Sequence, residues 1–135
     1  MFHIKHIRVD DRFIHGQILI KWLRYLNIQK VFVIDDEVYS DYIFQSILKN
    51  SLPKGMYIEF FSMNCWREYL KNNKNFEDVL VLVKDISTLW NLFLCDVKIE
   101  EVTTANLPYK EGKSKLTESI FVSDIEKKII VILFI

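Results

Sequence analysis

The chain has 135 residues, half of them hydrophobic, with 18 basic against 18 acidic side chains and a formal net charge of zero. That length suits one domain over residues 1–135, because a chain of this size buries roughly two-thirds of its unfolded surface and needs no disulfide or metal staple. Neutral charge argues against a nucleic-acid binder, whose affinity for phosphates normally requires a clear basic excess.

Lys5, His6 and Arg8 interrupt the apolar N-terminus, and no apolar run approaches the ~20 residues of a membrane-spanning helix, so a cytoplasmic protein is expected. Cys65 and Cys95 stand far apart without CxxC spacing and read as small buried hydrophobes.

In chain order, Phe2 to Val9 reads as a first strand. Gly16 to Leu26 follows as a helix, with Ile18, Leu19, Trp22, Leu23 and Leu26 on one face. Lys30 to Asp35 is a second, buried strand. Ser40 caps the next helix, with Asp41 in its first turn, and Pro53 and Gly55 end it. Met56 to Phe61 is a third strand, and Ser62 caps a helix carrying Trp66, Tyr69 and Leu70. Asp78 to Val83 is a fourth strand, Asp85 starts another helix, and Val97 to Thr103 and Leu116 to Val122 are the fifth and sixth strands. The apolar run Ile129 to Ile135 is short enough to read as a further buried strand. The pattern predicts an α/β fold: an open, mostly parallel sheet of about six or seven strands with helices on both faces. Trp22, Trp66 and Trp90 fall on helical stripes and are expected in the core.

In such a sheet, ligands bind beyond the carboxyl ends of the strands. The segment after the first strand, R-V-D-D-R-F-I-H-G-Q at 8–17, gathers two acids, two arginines and a histidine there. His15 directly precedes a helix start, where free backbone N–H groups and the positive end of the dipole favour an anion, and Gly16 permits close backbone approach. An imidazole can carry a phosphoryl group covalently, and the planar guanidinium of Arg12 matches its oxygens. Asp10 or Asp11 can orient either Arg12 or a ring N–H of His15. A helix cap and a solvated turn explain the same residues without chemistry. Metal binding has little support: His3 and His6 have opposite side-chain parity on the strand, and no acidic or thiol cluster completes a shell.

The 8–17 segment, V-I-D-D-E-V at 33–38, N-L-P-Y-K-E-G at 106–112 and L-T-E-S-I-F-V at 116–122 together make the chain resemble the IIB component of the mannose, fructose and sorbose family of bacterial sugar phosphotransferase systems. The resemblance implies that His15 is phosphorylated on Nδ1 by the phosphohistidine of a IIA protein or domain. It then passes the phosphoryl group to a sugar held by membrane IIC and IID subunits, at which the domain is peripherally associated. Arg12 would steady the group in flight, with Asp10, Asp11, Gly16, Gln17, Asp36 and Asn106 supporting the phosphate site and Asp35 beside them. No cofactor, nucleotide or metal is implied, consistent with the lack of a P-loop or a dinucleotide-binding glycine motif.

Six basic residues within the first 34, namely Lys5, Arg8, Arg12, Lys21, Arg24 and Lys30, face only Asp10 and Asp11, so a basic rim is expected to attract an acidic IIA surface. Two departures stand out. Thr104-Ala105-Asn106-Leu107-Pro108 replaces a Gly-containing turn, and Glu126-Lys127-Lys128 runs straight into the apolar terminus, where the family continues through a helix, a strand and a tail. A C-terminally shortened domain is expected, whose apolar end either covers the sheet or adds a seventh strand. The alternative function is a regulatory or orphan domain that binds partners without completing sugar transfer.

Overall fold

In a computed structural model, which describes residues 2–13, 16–73 and 76–133, the buried apolar runs become one parallel sheet. Its strands are β1 (Phe2–Asp10), β2 (Lys30–Ile34), β3 (Tyr57–Phe61), β4 (Phe76–Val83), β5 (Val97–Ile99) and β6 (Val102–Asn106). Their order is β3-β2-β4-β1, with β5 and β6 both paired to the free edge of β1.

Helices cover both faces. On one side, α1 (Gly16–Leu26) and α3 (Tyr42–Ser51) bring Leu19, Leu23 and Leu48 onto Val31, Val33, Leu80 and Leu82. On the other, α4 (Met63–Asn72) and α5 (Ile86–Phe93) set Trp66, Ile86, Leu89 and Leu92 against Ile7, Val9, Phe32, Val81 and Val83. Period-two alternation along β2 and β4 therefore feeds two separate cores. From β1 the chain crosses α1 toward β3, whereas from β4 it returns across α5 toward β5. The crevice where the winding direction reverses thus lies at the carboxyl ends of β1 and β4.

Trp66 is the centre of the second core. Fully buried, it meets Phe2, Phe61 and Phe32 edge-on at ring distances of 5.6, 5.4 and 6.1 Å and stacks on Tyr69 at 5.6 Å.

The expected helix limits hold where local chemistry sets them. Gly16 to Leu26 is helical as read, and the side chains of Ser62 and Asp85 accept from the backbone N–H groups of Cys65 and Thr88. At Ser40 the reading is corrected: Asp35 caps a short α2 (Asp36–Tyr39), Ser40 ends it, and the carboxylate of Asp41 caps α3. Gly55, at φ 91°, makes the left-handed turn into β3.

Three strand expectations change. The run Val97 to Thr103 divides into β5 and β6, because the adjacent Glu100 and Glu101 break its alternation and turn to His3 and His6 at 3.6 and 3.3 Å. Leu116 to Val122 is not a strand of the main sheet. It folds at Glu118 and Ser119 into an antiparallel hairpin of β7 (Ser114–Thr117) and β8 (Ile120–Val122), clipped to Leu107 by two backbone hydrogen bonds.

The C-terminal apolar run is helical rather than a seventh strand: α6 spans Asp124–Leu133, and 134–135 lie outside the described residues. Ser123 and Glu126 form a reciprocal cap, each backbone N–H donating to the other's side chain at 2.9 and 3.1 Å. Burial opposes the charge of Glu126, but the Ser123 N–H and Lys113, 3.0 Å away, outweigh it and hold its pKa below the ordinary glutamate value. With helix nucleated there, Ile129, Ile130 and Leu133 present a helical stripe to the core, while Ile125, Val131 and Ile132 remain exposed.

Both cysteines are free and half-buried rather than buried, with the Cys95 thiol pushed up by burial. Trp66 alone of the three tryptophans is fully buried. Trp90 stacks on exposed Phe93, and Trp22 lies partly buried over polar residues of β1.

Candidate active site

The site is built from the last three inward-facing residues of β1. A register irregularity between Ile4 and His6 lets Phe2, Ile4, Ile7 and Val9 share one core, which leaves His6, Arg8 and Asp10 on the α1 face. The same irregularity removes the simple parity that set His3 and His6 on opposite faces. Among the described residues, no group of three His, Cys, Asp or Glu side chains is placed to hold a metal ion.

Asp10 is fully buried at the end of β1. One of its oxygens accepts from the backbone N–H and Nε of Arg12 at 3.0 and 3.1 Å, and the other from Arg12 Nη2 at 3.3 Å and Arg8 Nη2 at 3.4 Å. This fork fixes the Arg12 guanidinium, yet its side chain stays 41% exposed. The hydrogen bonds that Arg12 donates to Asp10 raise the pKa of Arg12 further above the neutral range.

Phe13 completes the turn by donating its N–H to the Asp10 carbonyl at 2.9 Å, with φ at 59°. A left-handed phenylalanine costs about 1–2 kcal/mol, which its burial and edge-on contact with Phe44 of α3 offset.

Of the two acids that the sequence left open, Asp10 is the one that orients Arg12. Asp11 instead pairs with β6: its N–H donates to the Asn106 carbonyl at 3.1 Å, and its carboxylate accepts from the Asn106 side-chain amide. Asp10, Asp11, Arg12 and Asn106 are thus joined across the ends of β1 and β6. Gly16 and Gln17 open α1, and His15, the residue before them in the chain, lies outside the described residues.

Asp35 and Asp36 belong to a neighbouring set of contacts. Buried Asp35 caps α2 through Val38 N–H at 3.1 Å, and Asp36 accepts from Met63 N–H at 2.9 Å, tying α2 to the start of α4. Lys84, which the sequence reading passed over, follows β4 and lies 3.5 Å from both Asp35 and Glu37. Burial disfavours its charge, but these carboxylates prevail and raise its pKa. Its sequence signal was only its place after the apolar run of β4.

The basic rim is smaller than expected. Arg8 is buried, with its guanidinium 5.7 Å above the Trp22 ring, and Lys5 lies 3.7 Å from Asp78.

His6 sits beneath the same indole at 4.7 Å, with Nδ1 3.3 Å from a Glu101 carboxylate oxygen and, among the described residues, no hydrogen-bond partner for Nε2. Burial is the main cause of its lowered pKa and Arg8 adds to it, while Glu101 opposes the shift. A histidine that protonates more readily unfolded than folded contributes stability above the unfolded pKa of 6.5, and that contribution is lost as pH falls through the folded value. Urea unfolding of the wild type should therefore weaken from pH 7 toward pH 5. His6→Phe should flatten this slope, and an unchanged slope would reject the assignment to His6.

A parallel α/β domain with a polar loop at the carboxyl end of its first strand belongs to the open-sheet class that takes ligands beyond the carboxyl ends of its strands. The chain belongs to the IIB components of the mannose, fructose and sorbose family of sugar phosphotransferase systems: the family described as "PTS system sorbose subfamily IIB component" matches residues 4–133. The PTS system sorbose-specific EIIB component of Lacticaseibacillus casei is 27% identical over 114 residues, 84% of this chain and 70% of that protein. The PTS system mannose-specific EIIAB component of Escherichia coli K12 is 26% identical over 118 residues, 87% of this chain, which spans only 36% of that longer protein. The crystal structure of a PTS-dependent N-acetylgalactosamine IIB component from Streptococcus pyogenes is similar at TM-score 0.85 and 30% identity, with 97% of this chain and 80% of that one covered. Among the described residues no helix is long and apolar enough to cross a membrane.

Proposed function

We propose that the chain is a single IIB domain acting as a cytoplasmic phosphocarrier, with His15 as its catalytic residue. The observation that carries this reading is the fork by which buried Asp10 presents Arg12 beside the start of α1. In the first step, Nδ1 of His15 attacks the phosphorus of a phosphohistidine on a IIA protein. A new P–N bond forms as the donor's breaks, the donor ring gains a proton and the His15 ring loses one. In the second, a sugar hydroxyl oxygen attacks the same phosphorus, the bond to His15 breaks, and the hydroxyl proton passes to the released imidazole.

Arg12 supplies a fixed guanidinium for the oxygens of the group in flight. Backbone N–H groups at Gly16 and Gln17 receive its charge, Asp11 and Asn106 brace the loop, and Asp36 holds the adjacent strand end. Phosphohistidine is already an activated donor, so neither step requires a metal or a nucleotide. The sugar is held by membrane IIC and IID subunits, with this domain peripheral to them, and the one-chain EIIAB relative supports a IIA partner.

Incubation with phosphorylated IIA should place an acid-labile label on His15. Undiminished labelling of His15→Ala would overturn the reading. Arg12→Gln should spare labelling more than transfer to sugar in a reconstituted complex, and equal loss of both steps would reject the role given to Arg12.

A further inference from the structure

Arg8 is a charged group buried beneath the loop, and it is costly where it stands. Its side chain is 7% exposed, its Nε has no hydrogen-bond partner among the described residues, and its guanidinium meets the Asp10 carboxylate at 3.4 Å and the Trp22 face at 5.7 Å. A buried guanidinium costs stability to the extent that its charge and N–H groups are left without partners. Asp10 is also the sole side-chain anchor of Arg12 among the described contacts.

With one carboxylate and one guanidinium, the Asp10–Arg12 pair would be neutral and a weak attractor for a phosphoryl dianion. Asp11 also acts on Arg12, so without Arg8 one guanidinium would face two carboxylates, and Arg8 brings the group to balance. Positive charge reaches solvent at Arg12, whose side chain is 41% exposed against 7% for Arg8 and none for Asp10.

We propose that Arg8 is a positioning residue that offsets the Asp10 carboxylate from beneath, so that Asp10 orients Arg12 without cancelling the charge Arg12 presents to the phosphoryl group. The value of this charge for transfer rests on the phosphocarrier reading, whereas its effect on anion binding does not. Trp22 supports it by holding the Arg8 guanidinium against β1 through a cation–π contact.

The test uses inorganic phosphate as the probe, followed by NMR of the arginine side chains, alongside labelling by phosphorylated IIA. Arg8→Met should weaken phosphate binding roughly tenfold, the order expected for removing one nearby unit charge at intermediate dielectric. Asp10→Asn added to Arg8→Met removes the carboxylate that Arg8 offsets and should recover part of the loss. Recovery of phosphate affinity without a matching recovery of stability in urea is the result a purely structural role for Arg8 would not produce. Arg8→Lys should stay within about threefold of wild type, since the charge persists. Arg8→Gln removes the charge but keeps a donor for Asp10, so it reads the same effect if the methionine variant does not fold.

Wild-type affinity in both folded Arg8→Met and Arg8→Gln, or a folded double variant that binds no better than Arg8→Met, would overturn the inference. So would a wild type that binds no phosphate at all. If phosphate binding depends on Arg8 as described while His15 takes no label from phosphorylated IIA, the phosphocarrier reading falls and the inference about Arg8 stands.

Discussion

Asp10→Ala is expected to cost about 3–5 kcal/mol of stability and most of the phosphate acceptance of the domain. The carboxylate is fully buried and accepts four hydrogen bonds, three from Arg12 and one from Arg8. Removing it leaves the buried Arg8 charge uncompensated, frees the Arg12 side chain and leaves the Arg12 backbone N–H without its acceptor. Single domains are typically stable by about 5–15 kcal/mol, so this loss is a large share of the whole. Asp10→Asn keeps the shape and one carbonyl acceptor and should cost less, about 1–3 kcal/mol. Urea unfolding of the two variants checks the ranking, and an alanine variant within 1 kcal/mol of wild type would reject the carboxylate as the hub of the loop.

Trp66→Ala should be of similar size, about 3–5 kcal/mol, for a different reason. Its indole is fully buried where α4 crosses β1, β2 and β3, touching Phe2, Phe32, Phe61 and Tyr69, so truncation leaves a cavity whose aromatic walls cannot collapse. Trp66→Phe should cost only about 1–2 kcal/mol, because among the described residues Nε1 has no hydrogen-bond partner to lose. The contrast between the two substitutions, read from chemical denaturation, separates packing from polar contributions. Equal losses would show that the ring's size, rather than its removal, is what this core tolerates poorly. The effect on phosphate acceptance should be small in both folded variants, since Trp66 packs on the face opposite α1.

Much of the fold was legible because it is local. The stripe Leu19, Leu23 and Leu26 marks α1, the serine and aspartate caps mark α4 and α5, and the unbroken apolar run of β4 marks a strand covered on both sides. Misreadings arose where a segment's form depends on what it meets. The fifth strand divides because Glu100 and Glu101 find His3 and His6. The sixth becomes a hairpin against Leu107, and the C-terminal apolar run is helical because Ser123 and Glu126 nucleate a turn above the core. An apolar run of seven residues carries no periodicity of its own, so its partner decides.

The site divides along the same line. From sequence alone came the parallel α/β class and membership of the IIB family, which the match over residues 4–133 bears out, and the proposal that the loop at 8–17 carries the chemistry through His15 and Arg12. These are matters of residue type and order along a single segment. Tertiary structure decided which acid serves which partner. A register irregularity in β1 turned Arg8 inward beneath Trp22, made Asp10 a shared anchor for two arginines, and sent Asp11 across to Asn106. Neutral net charge over 135 residues therefore conceals a local group with two cations on one buried anion, because burial and pairing depend on which strand neighbours a residue and which face it takes.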